Sequence, residues 1–185
     1  MSERSEGHTT EVMSAQQIRR ALRRMANQVL ERHGGADNLV IIGIRTRGAP
    51  LAVRIADVIE DIEGVRPPVG AVDVTFYRDD YATRAKMPEE TTELPFGVDG
   101  SYVLLVDDVL FTGRTVRAAI ETLLDFGRPA EIQLAALVDR GHRELPITAN
   151  YVGRTVQTER ADTVRVRLKE IDDEDHVILI RSENP

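Results

Sequence analysis

The chain has 185 residues, 42% of them hydrophobic, with 31 acidic against 24 basic side chains and no cysteine. This length fits one domain with a substantial core, and the net charge of −7 argues against a surface coated throughout with nucleic-acid-binding charge. The lack of cysteine excludes disulfides, thiolate metal sites and cysteine nucleophiles.

Only Lys86 and Lys169 among the cations are lysine, so nearly all are arginine, the residue whose fork suits phosphate and carboxylate. No stretch approaches the roughly 20 apolar residues of a membrane span, and no apolar secretory core opens the chain. A cytoplasmic protein with no membrane partner is therefore expected. Polar residues 1–12 read as a disordered tail, and residues 13–185 as a single domain.

Ser14 and Gln17 have the spacing of a capping box. Ile18, Ala21, Leu22, Met25, Ala26, Val29 and Leu30 then recur at helical spacing up to Gly34-Gly35. The outer face of this helix carries Arg19, Arg20, Arg23, Arg24, Asn27 and Arg32, with Glu31 its one acid. Residues 39–44 form a continuous apolar run, as a strand covered on both faces requires. A polar turn, Arg45 to Gly48, leads into a helix beginning at Pro50 and running to about Ile62. Residues 69–77 alternate as a strand, and residues 78–100 form a long connector of the kind that often serves as a lid. Val103 to Val106 is another buried strand, followed by a helix with Val116, Ala119, Ile120, Leu123 and Leu124 on one face and Gly127 as its stop. Ile132 to Val138 is a fourth strand, and residues 164–168 and 177–180 flank an acidic turn, Asp172 to Asp175, as a β-hairpin. Alternation of strands with helices predicts a mostly parallel α/β sheet.

The segment from Val103 to Thr115 is the most informative. It places two adjacent carboxylates, Asp107 and Asp108, at the expected carboxyl end of a strand, where ligands of open α/β sheets bind. Thr112, Gly113, Arg114 and Thr115 then open a helix, where backbone N–H groups, hydroxyls and the positive end of the macrodipole converge on an anion. A carboxylate pair suits vicinal hydroxyls or the neighbourhood of Mg²⁺. Hydroxyls at one end and a phosphate at the other describe a ribose 5-phosphate. Asp-Asp after an apolar strand also occurs in response-regulator receivers, but there the pair lies near the start of the domain. Asp139 and Lys169 would have to supply the remaining receiver groups with too few elements left. No Gly-x-x-x-x-Gly-Lys motif of a P-loop is present.

The acidic-pair segment resembles the signature of the type I phosphoribosyltransferases, which use phosphoribosyl pyrophosphate (PRPP). Residues 44–48, 73–80, 113–117 and 138–146 resemble more closely one branch, the PyrR family of pyrimidine operon attenuators that are also uracil phosphoribosyltransferases. The resemblance spans roughly Ser14 to Ile180. It implies the type I phosphoribosyltransferase fold, a sheet flanked by helices with a long flexible loop and a C-terminal hairpin. It also implies transfer of the ribosyl group from PRPP to uracil, yielding UMP and pyrophosphate. Thr112 to Thr115 would take the 5-phosphate, Asp107 and Asp108 the ribose hydroxyls, and Thr46, Arg47 and Gly48 the pyrophosphate, in a turn that often holds a strained peptide. Arg78 would close over the pyrophosphate as a catalytic group beside the acidic pair. Val138, Asp139, Arg140 and Val164 would surround uracil. Mg²⁺ would arrive with PRPP rather than in a permanent metal site.

The same resemblance implies a UMP-responsive RNA hairpin partner in pyrimidine-operon messenger RNA and a homo-oligomer, dimeric or higher. Arg23, Arg24, Arg32, His142, Arg143 and Arg154 would carry the RNA contacts. Here the sequence departs from the branch pattern: Arg23 stands where Thr is usual, Asn27 for His, Thr148 for Arg, Arg154 for Lys and Gln157 for Pro. The catalytic segments follow the pattern closely. An enzyme whose RNA regulation is altered or lost, and an RNA regulator with incidental catalysis, both remain open at this point.

Overall fold

The computed structural model describes residues 8–74 and 92–182. In chain order it contains β1 (Thr9–Ser14), α1 (Ala15–His33), β2 (Leu39–Ile44), α2 (Gly48–Glu63) and β3 (Val69–Val72). There follow β4 (Tyr102–Leu110), α3 (Arg114–Leu124), β5 (Glu131–Asp139), β6 (Tyr151–Thr155), β7 (Thr163–Arg167), α4 (Lys169–Asp172) and β8 (His176–Ile180). Five strands form a parallel sheet in the order β3-β2-β4-β5-β6, and three form an antiparallel sheet in the order β1-β8-β7.

The strand period of two divides the core. Leu39, Ile41, Leu104, Val106, Ala135 and Leu137 point to the face covered by α1 and α2. Their neighbours Val40, Ile42, Ile44, Val103, Leu105, Leu134 and Ala136 point to the face covered by α3. Every residue of β2 is buried, as a strand sandwiched between helical layers requires. Helix α1 begins with the expected reciprocal capping box between Ser14 and Gln17 and ends at Gly34 in the left-handed conformation. The seven apolar positions expected to face the core, Ile18 to Leu30, are all buried.

Several elements depart from expectation, beginning with β3, which ends at Val72 and not at residue 77. Residues 9–12 are not tail: they belong to β1, which pairs antiparallel with β8 from Thr9↔Ile180 to Ser14↔His176 and buries Met13. The backbone ladder stabilises a segment whose polar side chains gave no strand signal. Helix α2 starts at Gly48, two residues before Pro50. Helix α3 ends at Leu124, which is about half exposed rather than in the core, and Asp125 rather than Gly127 caps it. Strand β6, at the edge of the parallel sheet, has no counterpart in the periodicity because Tyr151 alone among its residues is buried.

Residues 75–91 lie outside the described residues, and with them Phe76 of the expected strand and Arg78 at the start of the long connector. The remainder of the connector is packed: Glu93 bridges Ala71 antiparallel, Val98 is fully buried, and Leu94 and Phe96 pack against the α3-side core.

The acidic turn is an ion-pair clamp. Arg54 of α2 donates to both oxygens of Glu170 (2.8 and 2.6 Å) and both of Asp175 (3.0 and 2.7 Å), joining the antiparallel sheet to the main domain. The Arg54 hydrogen bonds hold the Glu170 carboxyl below its ordinary value against the opposing effect of burial. At Asp175 burial pushes upward most strongly, but Arg54 and the Lys169 N–H together outweigh it and hold the carboxyl low. A lowered folded-state pKa stabilises the fold above the unfolded carboxylate range, and this contribution is lost as pH falls through the depressed values. Arg54→Met should therefore melt below the parent protein by a gap that is constant above about pH 5 and closes below about pH 4. Thermal melts between these limits and lower pH test this; a gap that persists unchanged in acid contradicts the clamp.

Candidate functional site

The carboxyl ends of β2, β4 and β5 stop at different heights. The last pairing of β4 with β2 is Val106↔Gly43, whereas β4 stays paired with β5 as far as Leu110↔Asp139. The acidic pair therefore lies within β4, not at its end as expected, but past the point where β2 has turned away. Asp107 is 3% exposed, and its Oδ1 accepts the Asp108 N–H at 2.9 Å. Asp108 is partly exposed beside it.

The turn Arg45 to Gly48 fills the step left by β2. Two glycines allow the approach: a Cβ on Gly48 would collide with the Val106 carbonyl oxygen, and one on Gly43 with the backbone of Gly48 and Ala49. The Arg45–Thr46 peptide is cis. Arg45 pairs with Glu93 at 3.2 Å. The Arg47 side chain is turned to Asp172 rather than into the step between the strands, with contacts of 3.2 and 2.7 Å.

Beyond β4, Thr112 and Gly113 turn into α3. Gly113 is the left-handed N-cap residue with φ 91°, and the buried Thr112 hydroxyl accepts the Arg114 N–H at 3.3 Å. The first-turn N–H groups of Thr115 and Val116 lie beyond the reach of the helix's own carbonyls. The Arg114 side chain is drawn to Glu144 at 2.7 Å, and Arg160 meets the same carboxylate. The Arg114 and Arg160 hydrogen bonds hold the Glu144 carboxyl below its ordinary value.

The segment after β5 is stitched to this turn. Arg140 N–H reaches the Leu110 carbonyl, Arg143 donates to the Phe111 carbonyl at 2.8 Å, and the N–H groups of Glu144 and Leu145 both donate to the Thr112 carbonyl. Arg143 also pairs with Asp139 at 2.5 Å, and His142 meets the Thr158 carbonyl at 2.7 Å. Arg140 is 6% exposed, with its guanidinium 3.9 Å from the centre of the Phe111 ring. It donates to the carbonyls of Glu159, Arg160 and Asp162. Among the described residues its Nε has no hydrogen-bond partner, and burial pushes the guanidinium below its ordinary value. Asp139 to Arg143, Thr155 to Glu159 and Arg181 line an open pocket of about 720 Å³.

Of the candidate base-binding residues, Asp139 and Arg140 line this pocket. Val138 is fully buried in β5, and Val164 lies on β7, packed against the α1-side core. Phe111, Glu144 and the Thr158–Asp162 loop were assigned no role by sequence reasoning, since an exposed Glu and a polar loop have no period to betray them. Among the described residues no group of three or more His, Asp or Glu is arranged to hold a metal ion, and no helix is long and apolar enough to cross a membrane.

The candidate RNA residues divide. Arg24 donates to the carbonyls of Val152 and Gly153, joining α1 to β6, and Arg32 pairs with Glu131 at 3.3 Å. Arg143 and His142 are turned inward as described. Arg23 and Arg154 are exposed without an ion pair among the described residues, and Asn27 donates to its own helix at the Arg23 carbonyl.

Residues 8–170 match the family model of the phosphoribosyl transferase domain. The chain is 54% identical over 176 residues to a Bifunctional protein PyrR of Chloroflexus aurantiacus, covering 95% of this chain and 97% of that one. It is 51% identical over 170 residues to a Bifunctional protein PyrR of Thermus thermophilus, covering 91% and 94%. Among solved structures, a hypoxanthine phosphoribosyltransferase of Trypanosoma cruzi in complex with IMP superposes with a TM-score of 0.70 at 18% identity, covering 98% of this chain and 95% of that one. One of Staphylococcus aureus gives 0.68 at 19%, covering 94% and 93%. The fold is that of the type I phosphoribosyltransferases.

Arg140→Lys keeps the charge but loses the fork that gathers the carbonyls of residues 159–162. Hydrogen bonds to charged groups are worth about 1.5–3 kcal/mol, so the Asp162 amide should exchange its hydrogen at least about tenfold faster. Unchanged exchange would show that the loop holds itself.

Proposed function

The chain belongs to the PyrR family of phosphoribosyltransferases, and from this premise we propose that it makes UMP and pyrophosphate from uracil and PRPP and binds an RNA hairpin in response to UMP. The observation that carries the reading is the meeting, on three strand ends, of the acidic pair, the Thr112–Thr115 turn, the Thr46–Gly48 turn and the Asp139–Thr158 pocket. These are the parts a nucleotide needs: hydroxyl acceptors, a phosphate cradle, a place for the leaving group and a base pocket. PyrR relatives share about half of all residues over nearly the whole length.

In the proposed reaction uracil N1 attacks C1 of the ribose as the bond to pyrophosphate breaks, its N1 proton passing to solvent or to the departing pyrophosphate, and positive charge grows on the sugar while negative charge leaves. Asp107 and Asp108 receive the ribose hydroxyls and stand near the developing cation. Backbone N–H groups of Gly113, Arg114 and Thr115, with the α3 macrodipole, hold the 5-phosphate. Backbone groups of Thr46 to Gly48 hold the pyrophosphate, and Arg78 is assigned its closure. Of the two carboxylates the partly exposed Asp108 is the one that would meet a Mg²⁺ arriving with PRPP, which would supply charge neutralisation at the pyrophosphate. Uracil lies against the Asp139–Arg143 segment, where Asp139 and Arg140 are held by their partners and backbone groups read its O4, N3 and O2. Val138 and Val164 support this segment from the core.

For RNA, the surface formed by α1 and β6 supports binding through the exposed Arg23 and Arg154, with Arg24 joining the two elements. Arg32, His142 and Arg143 act through the fold that they tie down. The protein works in the cytoplasm as a homo-oligomer, which light scattering on the purified chain would test.

Incubation with PRPP, Mg²⁺ and each nucleobase separately should give UMP from uracil. No UMP under conditions where PRPP binds overturns the enzymatic reading. Asp108→Asn should lower kcat/KM by about 10²–10³-fold, the scale for removing one group that stabilises transition-state charge, and leave hairpin binding measured without UMP intact. Arg23→Glu with Arg154→Glu should weaken hairpin binding, flatten its salt dependence by roughly one to two in log–log slope, and spare UMP synthesis. Equal damage to both activities by both variants would refute two separate surfaces.

A further inference from the structure

The acidic turn takes no part in the reaction proposed above, yet it grips the turn that opens the site. Arg47 is the N-cap residue of α2, directly before Gly48. Its guanidinium meets both Asp172 oxygens along one edge, Nε to Oδ2 at 3.2 Å and a terminal nitrogen to Oδ1 at 2.7 Å. Asp172 Oδ2 also accepts the Leu168 N–H at 2.9 Å, so the carboxylate is itself fixed by the backbone at the start of α4. The two side chains are only 21% and 17% exposed.

A cation at the N-terminus of a helix is opposed by the positive end of the macrodipole. Arg47 therefore needs an anion there, and no side-chain cap bond secures this end of α2. Asp172 is the anion. Two turns further along the same helix, Arg54 is held by Glu170 and Asp175. The α4 segment thus holds α2 at its first turn and again seven residues on, which fixes both its height and its rotation beneath the strand ends.

We infer that Asp172 is a positioning residue for phosphoribosyl transfer: by holding the Arg47 guanidinium, it keeps the Arg45–Gly48 turn shaped to receive pyrophosphate through backbone N–H groups. The inference rests on the reading of Thr46 to Gly48 as the pyrophosphate turn. It assigns the Arg47 side chain to the antiparallel sheet and not to the ligand, so a cation within the turn serves as an anchor. It also makes the antiparallel sheet a structural partner of the leaving-group site, while Arg181, directly after β8, lines the pocket at Asp139.

The test measures binding of inorganic pyrophosphate with Mg²⁺, and separately of UMP, to the full-length parent, Asp172→Asn, Arg47→Met and the double variant by titration calorimetry. Asp172→Asn should weaken pyrophosphate about tenfold and raise KM for PRPP by a similar factor. UMP affinity, and kcat at saturating PRPP, should stay within about twofold, which a misfolded protein would not allow. Arg47→Met should give a similar loss, and the double variant should be no worse than either single one, as expected for two groups acting as a unit. Unchanged or tighter pyrophosphate binding in Asp172→Asn overturns the inference, the latter because it would mean that Asp172 withholds Arg47 from the ligand. Equal weakening of UMP overturns it as well, by showing a general loosening. Backbone amide resonances of the parent protein check the underlying reading separately. If pyrophosphate shifts amides elsewhere than residues 46–49, the turn assignment has failed. If it shifts those amides and Asp172→Asn binds as the parent does, the assignment stands and the positioning role falls.

Discussion

The site depends on one inequality of length. Strand β4 runs on from Asp107 to Leu110 after its last pairing with β2 at Val106, and among the described strands it is β5 that stays paired with it there. An unequal pair of parallel strands leaves a step at the sheet's carboxyl edge, one side of which is the backbone of the longer strand. The two carboxylates stand on that step, the Arg45–Gly48 turn fills its floor, and α3 begins where β4 ends. Gly43 and Gly48 are needed because a side chain at either would strike backbone. Apolar alternation in the three central strands holds the step rigid, since each strand is locked into both helical layers.

The second layer of order is a set of arginines used as structural fasteners. Arg140 gathers three carbonyls, Arg143 joins Asp139 to Phe111, Arg24 ties α1 to β6, and Arg47 and Arg54 bind the acidic turn. The guanidinium fork suits this work because one group can satisfy several fixed acceptors at once. This changes the meaning of the charge pattern. The acids of residues 170–175 are largely matched inside the molecule, and several arginines that look like a nucleic-acid face are committed to carbonyls and carboxylates.

Elements with strong apolar patterning were legible in the sequence: α1 with its capping box, the fully apolar β2, and the apolar runs of β4 and β5. So was the placement of Asp107 and Asp108 on a strand that leads through Thr112 and Gly113 into a helix, from which the sugar-phosphate reading is proposed. Strands β1 and β6 were not legible. Both lie at sheet edges, where hydrogen bonds to a neighbour stabilise the strand and one side chain, Met13 or Tyr151, carries the burial. The pairings of Arg47 with Asp172 and Arg140 with residues 159–162 join residues 125 and about 20 positions apart. Nothing local in the chain encodes such a meeting. Val138 shows the converse: its segment was located, but strand alternation turns its side chain into the core.

The central claim is that the step beside β4 is a nucleotide site with a fixed polarity, phosphate toward α3 and base toward Asp139. A crystal structure of the protein with UMP bound tests this most directly. The account predicts the 5-phosphate on the N–H groups of residues 113–115, the ribose hydroxyls against Asp107 and Asp108, and uracil in the pocket between Asp139 and Thr158. UMP bound in the reverse direction, or at a surface away from β4, would contradict it.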